Sequence, residues 1–283
     1  MFFSDRAADD DVTNAGTVLV TGGSGVVGSN LVGTLLRQGR KVKVLDTRYG
    51  RLETERMNQN LEFVGIGNED LHSGMADKQI AIRAVRGVDI IYHLAINWDG
   101  ATWKHVLPLA DLFDANVRGT LNLLDAARSN GVRQLVFSSS IAVYGETERT
   151  LTRRSGERRA NEKSACWPER WTGDPGPAYA VLKLTTEKLC LMYHHQHGLP
   201  VTVFRLEYVF EGEDELRDGA NIHVDDVVEA FLRAELNKKA YGQVFDLAYP
   251  TSHLSVRKLQ RFLNWKPTVT KAFLEKRTSI VKS

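Results

Sequence analysis

Three glycines set between a short apolar run and a longer amphipathic one constrain this chain more than any other feature. In Thr17-Val-Leu-Val-Thr-Gly-Gly-Ser-Gly-Val-Val-Gly28, the run Val18-Leu19-Val20 reads as a buried strand ending at Thr21. Gly22, Gly25 and Gly28 follow at equal spacing. The first permits a tight turn with positive φ, and the second admits a phosphate to bare backbone. The third lets the following helix lie close on the sheet. Val26, Val27, Leu31, Val32, Leu35 and Leu36 then recur at helical spacing, and Gly39 stops the pattern. Free N–H groups at that helix's start, with its dipole, make an anion site suited to a pyrophosphate. A glycine-rich string alone also reads as a flexible loop; the strand before and the helix after favour dinucleotide binding. Gly22, Ser24, Gly25, Val26, Val27 and Gly28 are the candidates for holding it.

Lys41-Val-Lys-Val-Leu-Asp46 reads as a second strand ending on a carboxylate, about 20 residues past the glycines, where ribose recognition requires one. Asp46 accepts hydrogen bonds from two ribose hydroxyls in this reading and repels a 2′-phosphate, which favours NAD over NADP. The bland reading is an ordinary strand-end carboxylate. Arg48 and Arg51 pull the other way, because either can meet a 2′-phosphate.

Strands and helices then alternate. Leu61–Ile66 reads as a third strand, Ile80–Val85 as helix, Val88–Leu94 as a fourth strand and Gln134–Ser138 as a fifth. Pro108–Asn130 reads as one long helix with Leu109, Leu112, Val117, Leu121 and Leu124 on its apolar face, stopped at Gly131. Such alternation gives right-handed crossovers and a doubly wound parallel sheet, an α/β Rossmann-type fold whose ligands lie beyond the strands' carboxyl ends. Gly22–Gly28, His93–Ile96 and Ser138–Ser140 share that edge, so Leu94, Ala95 and Ser138 join the cofactor candidates.

At 283 residues the chain is long enough for one compact domain with a small appendage. We expect a flexible tail over 1–14, a dinucleotide domain over 15–205, and a reduced substrate-binding region over 206–283, of which 223–247 returns to the core. A net charge of +2 implies neither nucleic acid nor an anionic membrane as partner. No run approaches a membrane span, the opening lacks the apolar core of a signal peptide, and two cysteines make no disulfide framework. A cytoplasmic enzyme of small molecules is the expectation. His194, His195 and His197 sit at a helix C-terminus without a carboxylate or cysteine to complete a site, so no metal is expected. Trp98, Trp103, Trp167 and Trp171 flank the presumed edge as packing residues or as an aromatic wall for a sugar face.

Two stretches carry chemistry. Pro177-Ala-Tyr-Ala-Val-Leu-Lys183 opens a helix that ends before Gly198, and Tyr179 and Lys183 project from one face. A phenol titrates near pH 10 in water, too high for a base at neutral pH; a neighbouring ammonium stabilises the phenolate. Chance placement of such a pair is the alternative. Ser138-Ser-Ser-Ile-Ala-Val-Tyr-Gly145 follows the fifth strand and offers a hydroxyl to hold a substrate oxygen beside the tyrosine.

Together with His93-Leu-Ala95, Asn116-Val-Arg-Gly-Thr120 and His223-Val-Asp-Asp226, these motifs resemble the extended short-chain dehydrogenase/reductases, the NAD-dependent epimerase/dehydratase family. The order of motifs matches from residue 17 to about 270. The resemblance implies Tyr179 as acid/base and Lys183 on the nicotinamide ribose and the phenolate. It implies Ser140, rather than Ser138 or Ser139, on the reacting hydroxyl or carbonyl, and Asn116 as a structural and water-relay residue. It implies NAD as cofactor, and a homodimer in which Pro108–Asn130 and Ala178–His197 pair.

Departures from the family bear on substrate. In Phe63-Val-Gly-Ile-Gly-Asn-Glu-Asp70 the aspartate that relatives present to adenine is displaced or absent, and Tyr208 in Arg205-Leu-Glu-Tyr-Val-Phe-Glu211 stands where relatives carry asparagine. No Asp-Glu pair follows Ser140, which argues against a sugar 4,6-dehydratase. Only Gly212–Ile222 separates that run from His223, where nucleotide-sugar enzymes have a long clamp, a truncation resembling uronate dehydrogenases. The short connection Glu211-Gly-Glu-Asp-Glu215 is acidic. Conversely, Glu146–Pro177 is long and basic (Arg149, Arg153, Arg154, Arg158, Arg159), and reads as a solvated loop or as a lid over a phosphate. The expectation is hydride transfer between NAD and a secondary alcohol or carbonyl of a small sugar-like substrate. A nucleotide-sugar epimerase is the second reading, and a binding protein that senses NAD without turnover the third.

Overall fold

The computed structural model describes residues 16–65, 74–97, 108–145, 160–173, 176–212, 221–249 and 254–268. The tail over 1–14, Asp70, Trp98, Trp103, the arginines of the basic loop and Glu213–Glu215 lie outside these residues.

Seven strands pair in parallel in the order β3-β2-β1-β4-β5-β6-β9. They are β1 (Val18–Thr21), β2 (Val42–Leu45), β3 (Leu61–Val64), β4 (Ile90–His93), β5 (Gln134–Ser140), β6 (Val201–Leu206) and β9 (Gln243–Leu247). The strand order reverses between β1 and β4, with Thr21 in register beside His93, so the ligand crevice falls there. Successive residues of a strand face opposite sides, which the core records. Val18, Val20, Val44 and Phe204 pack with α1 (Val26–Arg37) and α6 (Val224–Glu235). Leu19, Ile91, Leu135 and Val203 pack on the other face, with α2 (Lys78–Val85), α4 (Gly119–Ser129) and α5 (Pro177–His197). The central strands β1, β4, β5 and β6 are buried throughout, as a sheet covered on both sides requires.

Two details depart from the sequence reading. Strand β5 runs to Ser140, so Ser138–Ser140 belong to the strand, and the turn begins at Ile141. The long helix is broken: α3 (Leu109–Phe113) and α4 flank a π-helical turn at Asp114–Arg118. The extra residue in that turn rotates the buried stripe onto Leu112, Asn116, Thr120, Leu123 and Leu124. Leu109, expected on the apolar face, is instead 54% exposed.

After β6 the chain makes a small parallel pair, β7 (Tyr208–Phe210) with β8 (Asn221–His223), then returns through α6 to place β9 on the sheet edge. Helix α7 (Arg257–Leu263) packs on β9 and α6, and the buried Trp265 donates its indole N–H to the Asp226 carbonyl.

Candidate active site

The glycine-rich turn is shaped by backbone crowding. Gly22 has φ +69°, and a Cβ there meets the Ala95 backbone at 2.8 Å. A Cβ on Gly28 falls 2.3 Å from the Gly22 carbonyl oxygen, so the third glycine lets α1 approach the loop itself rather than the sheet. A Cβ on Gly25 meets nothing nearer than 3.5 Å, which leaves an open approach. Gly25 is also the N-cap of α1, whose first turn carries no acidic residue, so its N–H groups remain available to an anion.

A cavity of about 340 Å³ opens on this turn. Gly22, Ser24, Gly25, Asp46, Leu94 and Ala95 line it, as do Arg48, Asn97, Ala115 and the segment Gly74–Ala76. Asp46 is anchored: one carboxylate oxygen accepts from the Ser24 N–H at 3.0 Å and the other from the Thr47 N–H at 2.8 Å. A carboxylate offers about four acceptor sites, so capacity for ribose hydroxyls remains. Ser24 donates its hydroxyl to the Arg48 carbonyl at 2.7 Å, joining both walls. Val26, Val27 and Gly28 do not line the cavity; Val27 packs against the core. The residues fit a dinucleotide, in the cradle a Cβ would fill and in the placed carboxylate. Sequence reasoning missed Gly74–Ala76, whose Met75 and Ala76 carbonyls accept from Asn122 Nδ2 at 3.0 and 2.9 Å.

Deeper in the crevice lies a chain of neutral hydrogen bonds. Thr120 donates its single hydroxyl proton to the Asn116 carbonyl at 2.6 Å, so it accepts from His93 Nε2–H at 2.9 Å. His93 Nδ1 therefore accepts from the Thr21 hydroxyl at 2.8 Å, and Thr21 accepts from the Ala95 N–H at 3.1 Å. Burial, and secondarily Lys183, pulls the His93 pKa down to about 3, which fits this neutral tautomer. The Asn116 side chain is committed as well. It donates to the Leu112 and Asn97 carbonyls at 2.8 and 3.0 Å and accepts from the Asn97 N–H at 2.8 Å. Asn116 thus pins the segment after β4 that forms the cavity wall. The roles of Thr21 and Thr120 were not read from the sequence; a threonine at the last position of a buried strand, opposite a histidine, is the available signal.

The candidate acid/base group assembles where β5 ends against α5. Tyr179 is half-buried in the first turn of α5 and hydrogen-bonds Ser140, whose Oγ also accepts from the Ala142 N–H at 3.2 Å. Lys183, one turn on and buried, donates Nζ to the Ser138 carbonyl at 2.8 Å. That nitrogen lies 5.4 Å from the ring centre of Phe137 and 5.8 Å from that of Tyr179. Ser140, Tyr179 and Lys183 are therefore brought together, while Asn116 shares with Lys183 a cavity of about 10 Å³, room for about one water. The electrostatics differ from expectation. Burial raises the Tyr179 pKa, and the Ser140 bond, not an ammonium, works to lower it. Burial likewise draws Lys183 down to about 7.

Behind the site, Arg205 grips Glu187 with two bonds of 3.0 and 2.7 Å, and Ser139 donates to the same carboxylate at 2.9 Å. Both charges are buried, so the bidentate geometry offsets their desolvation. This network fixes β5 against α5 beside Tyr179 and Lys183. Trp167 and Trp171 lie on the adjoining segment, Trp167 with Arg170 stacked 4.5 Å over its ring. Among the described residues no cluster of His, Cys, Asp and Glu has the geometry of a metal site. His194 is engaged locally with the Leu199 carbonyl at 3.0 Å.

A Rossmann crevice holding an aspartate at the end of β2 and a Ser-Tyr-Lys group at the end of β5 defines a dinucleotide-dependent enzyme fold. Residues 18–221 match the NAD dependent epimerase/dehydratase family, and the chain belongs to that family. It is 30% identical over 220 residues to a UDP-N-acetyl-alpha-D-glucosaminuronate decarboxylase of Bacillus cytotoxicus, covering 77% of this chain and 60% of that one. Among solved structures, a mutated uronate dehydrogenase superposes with a TM-score of 0.73 at 25% identity, over 93% of this chain and 86% of that one. The glucuronic acid dehydrogenase of Chromohalobacter salexigens superposes with a TM-score of 0.72, also at 25% identity, over 94% of this chain and 89% of that one. The chain spans about half the length of the curated relatives it matches. The family is NAD-dependent, and among the described residues no helix is long and apolar enough to cross a membrane.

Proposed function

We propose that this chain moves a hydride between NAD and a secondary alcohol or carbonyl of a small sugar-like substrate. The observation that carries the reading is the Ser140–Tyr179 hydrogen bond beside buried Lys183, on the edge where the glycine turn and Asp46 form the dinucleotide cavity. NAD supplies the hydride acceptor and donor when bound. Asp46 and the α1 N-terminus hold its ribose and diphosphate, and Lys183 its nicotinamide ribose. Ser140 orients the substrate oxygen, and Tyr179 takes or returns the proton of that oxygen. Lys183 changes charge near neutrality and so serves as the proton store beside the phenol. Asn116 acts by holding the wall at Asn97 and lining the small water-sized cavity.

Small size of the substrate is supported by the short link between β7 and β8, residues 211–220, and by the likeness in fold and extent to uronate and glucuronic acid dehydrogenases. A nucleotide-sugar epimerase is the competing reading, favoured by the sequence relatives that act on UDP-sugars. Thermal shift with NAD present separates them. Stabilisation by free uronic acids or sugars, with NADH formed on mixing, supports the dehydrogenase. Stabilisation by UDP- or GDP-sugars alone refutes it, and tight NAD binding with no turnover on any class leaves an NAD-sensing protein. Assembly as a homodimer in the cytosol belongs to the same reading. Exposed Leu109 and Phe113 on α3 are apolar surface that pairing of helices covers, and Cys166 and Cys190 are free thiols. Light scattering on the purified chain tests the dimer.

A further inference from the structure

We propose that Glu211 sets the cofactor class by holding Arg51 away from the ribose site. The inference rests on the reading that the cavity beside Asp46 takes the adenosine ribose of NAD. Arg51 starts close to that ribose position: its N–H donates to the Ser24 carbonyl at 3.3 Å, and the Ser24 N–H in turn donates to Asp46 at 3.0 Å. An arginine there has the reach and the fork to take a 2′-phosphate. Its guanidinium instead meets Glu211 Oε2 at 2.5 Å, and Arg51 does not line the cavity.

Glu211 comes from far along the chain, at the end of β7, and several bonds fix it. Its other carboxylate oxygen accepts from Asn30 Nδ2 on α1 at 2.8 Å. His223 Nδ1 accepts from the Asp225 N–H, so Nε2–H donates to the Glu211 carbonyl at 3.0 Å. The Asn30 bond, with Arg51 contributing, holds the Glu211 carboxyl below its ordinary value, so it is ionised at neutral pH. An exposed ion pair formed between two free side chains is weak, because ordering both cancels the Coulomb gain. Here the carboxylate is ordered by Asn30 and by a pinned backbone before Arg51 arrives, so that cost is already met. Glu211 occupies the guanidinium that a 2′-phosphate needs. The truncated substrate region thereby reaches back over α1 to the cofactor loop.

The test is calorimetric titration of NADH and NADPH into the full chain and into the variants E211Q, E211A, R51A and E211A/R51A, with melting temperature as the check on folding. E211Q keeps the shape and a bond to Asn30 while removing the charge. Wild type is expected to favour NADH. E211A should tighten NADPH about tenfold, E211Q by less, and both should leave NADH within about twofold. The NADPH gain should vanish in E211A/R51A. An unchanged NADPH-to-NADH ratio in folded E211A overturns the proposal. So does a gain that survives loss of Arg51, which reports the charge of Glu211 alone. Wild type binding neither dinucleotide, or NADPH more tightly, overturns instead the reading of the cavity as an NAD site.

Discussion

Lys183 donates a hydrogen bond from Nζ to the carbonyl of Ser138, 2.8 Å away, two residues before the serine that bonds Tyr179. One lysine thus ties the end of β5 to the helix that carries the phenol, from a buried position that favours its neutral form. A pKa of about 7 in the fold, against about 10.4 in the unfolded chain, makes the unfolded state bind more protons between those values. Burial of the charge therefore destabilises fully below about pH 7, and the penalty fades as pH rises toward 10. K183M should melt higher than the parent at pH 6, by up to several kcal/mol less the lost Ser138 bond, and this margin should shrink through pH 7–10. Scanning calorimetry across that range checks it; a margin independent of pH counts against the depressed lysine. Turnover is lost in K183M throughout.

Tyr179 and Ser140 are separable by their pH profiles. Removing the phenol oxygen in Y179F should lower kcat about 10²–10⁴-fold while cofactor affinity stays within about twofold, because the hydroxyl acts in proton transfer. S140A removes the bond that lowers the Tyr179 pKa, so the pH at which activity rises should move upward as well as kcat falling. Steady-state kinetics between pH 6 and 10 distinguishes this from a serine that merely contacts substrate, which lowers kcat without moving the profile.

Much of the candidate site was legible because it rests on residue types with few physical uses. A glycine with φ +69° against the Ala95 backbone, and one whose Cβ would strike the Gly22 carbonyl, are forced by geometry and leave a fixed spacing in sequence. Asp46 and the Tyr179/Lys183 pair follow from strand length and helical period. What the sequence did not disclose depends on partners distant in the chain. Asn122 holding Met75, Thr120 holding His93, and Glu211 holding Arg51 have no local periodicity to betray them. The π-turn at Asp114–Arg118 was hidden for a related reason. Within it Asn116 reaches the Leu112 and Asn97 carbonyls, where a strict 3.6-residue reading puts Val117 on the buried face. The Tyr179 pKa went the other way from expectation because burial outweighs the Ser140 bond, while the Lys183 nitrogen is directed at Ser138.

The Thr21–His93–Thr120 chain predicts an acid limit. His93 titrates near 3 in the fold and near 6.5 unfolded, so the unfolded state binds more protons between these values and stability falls as pH drops through that window. Thr120→Val leaves the buried Nε2–H without its acceptor, and should cost about 1–3 kcal/mol at pH 7 by urea unfolding. It should also weaken NAD binding, because Thr21 and the Ala95 N–H at the cavity wall hang on the same chain. Loss of stability with unchanged NAD affinity uncouples the network from the cofactor wall.

Asp246 on β9 gives the opposite pH signature. Its Oδ1 accepts from the Tyr144 hydroxyl at 2.7 Å, while its buried Oδ2 has no hydrogen-bond partner among the described residues. Burial, reinforced by Glu162, raises its pKa to about 8. The unfolded carboxyl titrates near 3.9, so between pH 4 and 8 the folded state binds the extra proton and stability falls as pH rises. Asn at this position keeps an oxygen for Tyr144 and carries no charge to bury. Asp246→Asn should therefore match the parent near pH 4 and exceed it at pH 8 by up to several kcal/mol, the margin growing by at most about 1.4 kcal/mol per pH unit. Arg205 sets a limit on this gain. It donates to the same Tyr144 oxygen at 2.9 Å and lowers the Asp246 pKa, so part of its favourable field is lost with the carboxylate. Chemical denaturation at pH 4, 6 and 8 reads the slope directly. A variant less stable than the parent at pH 8 would show that Asp246 is ionised in the fold and that the Arg205 field outweighs its burial.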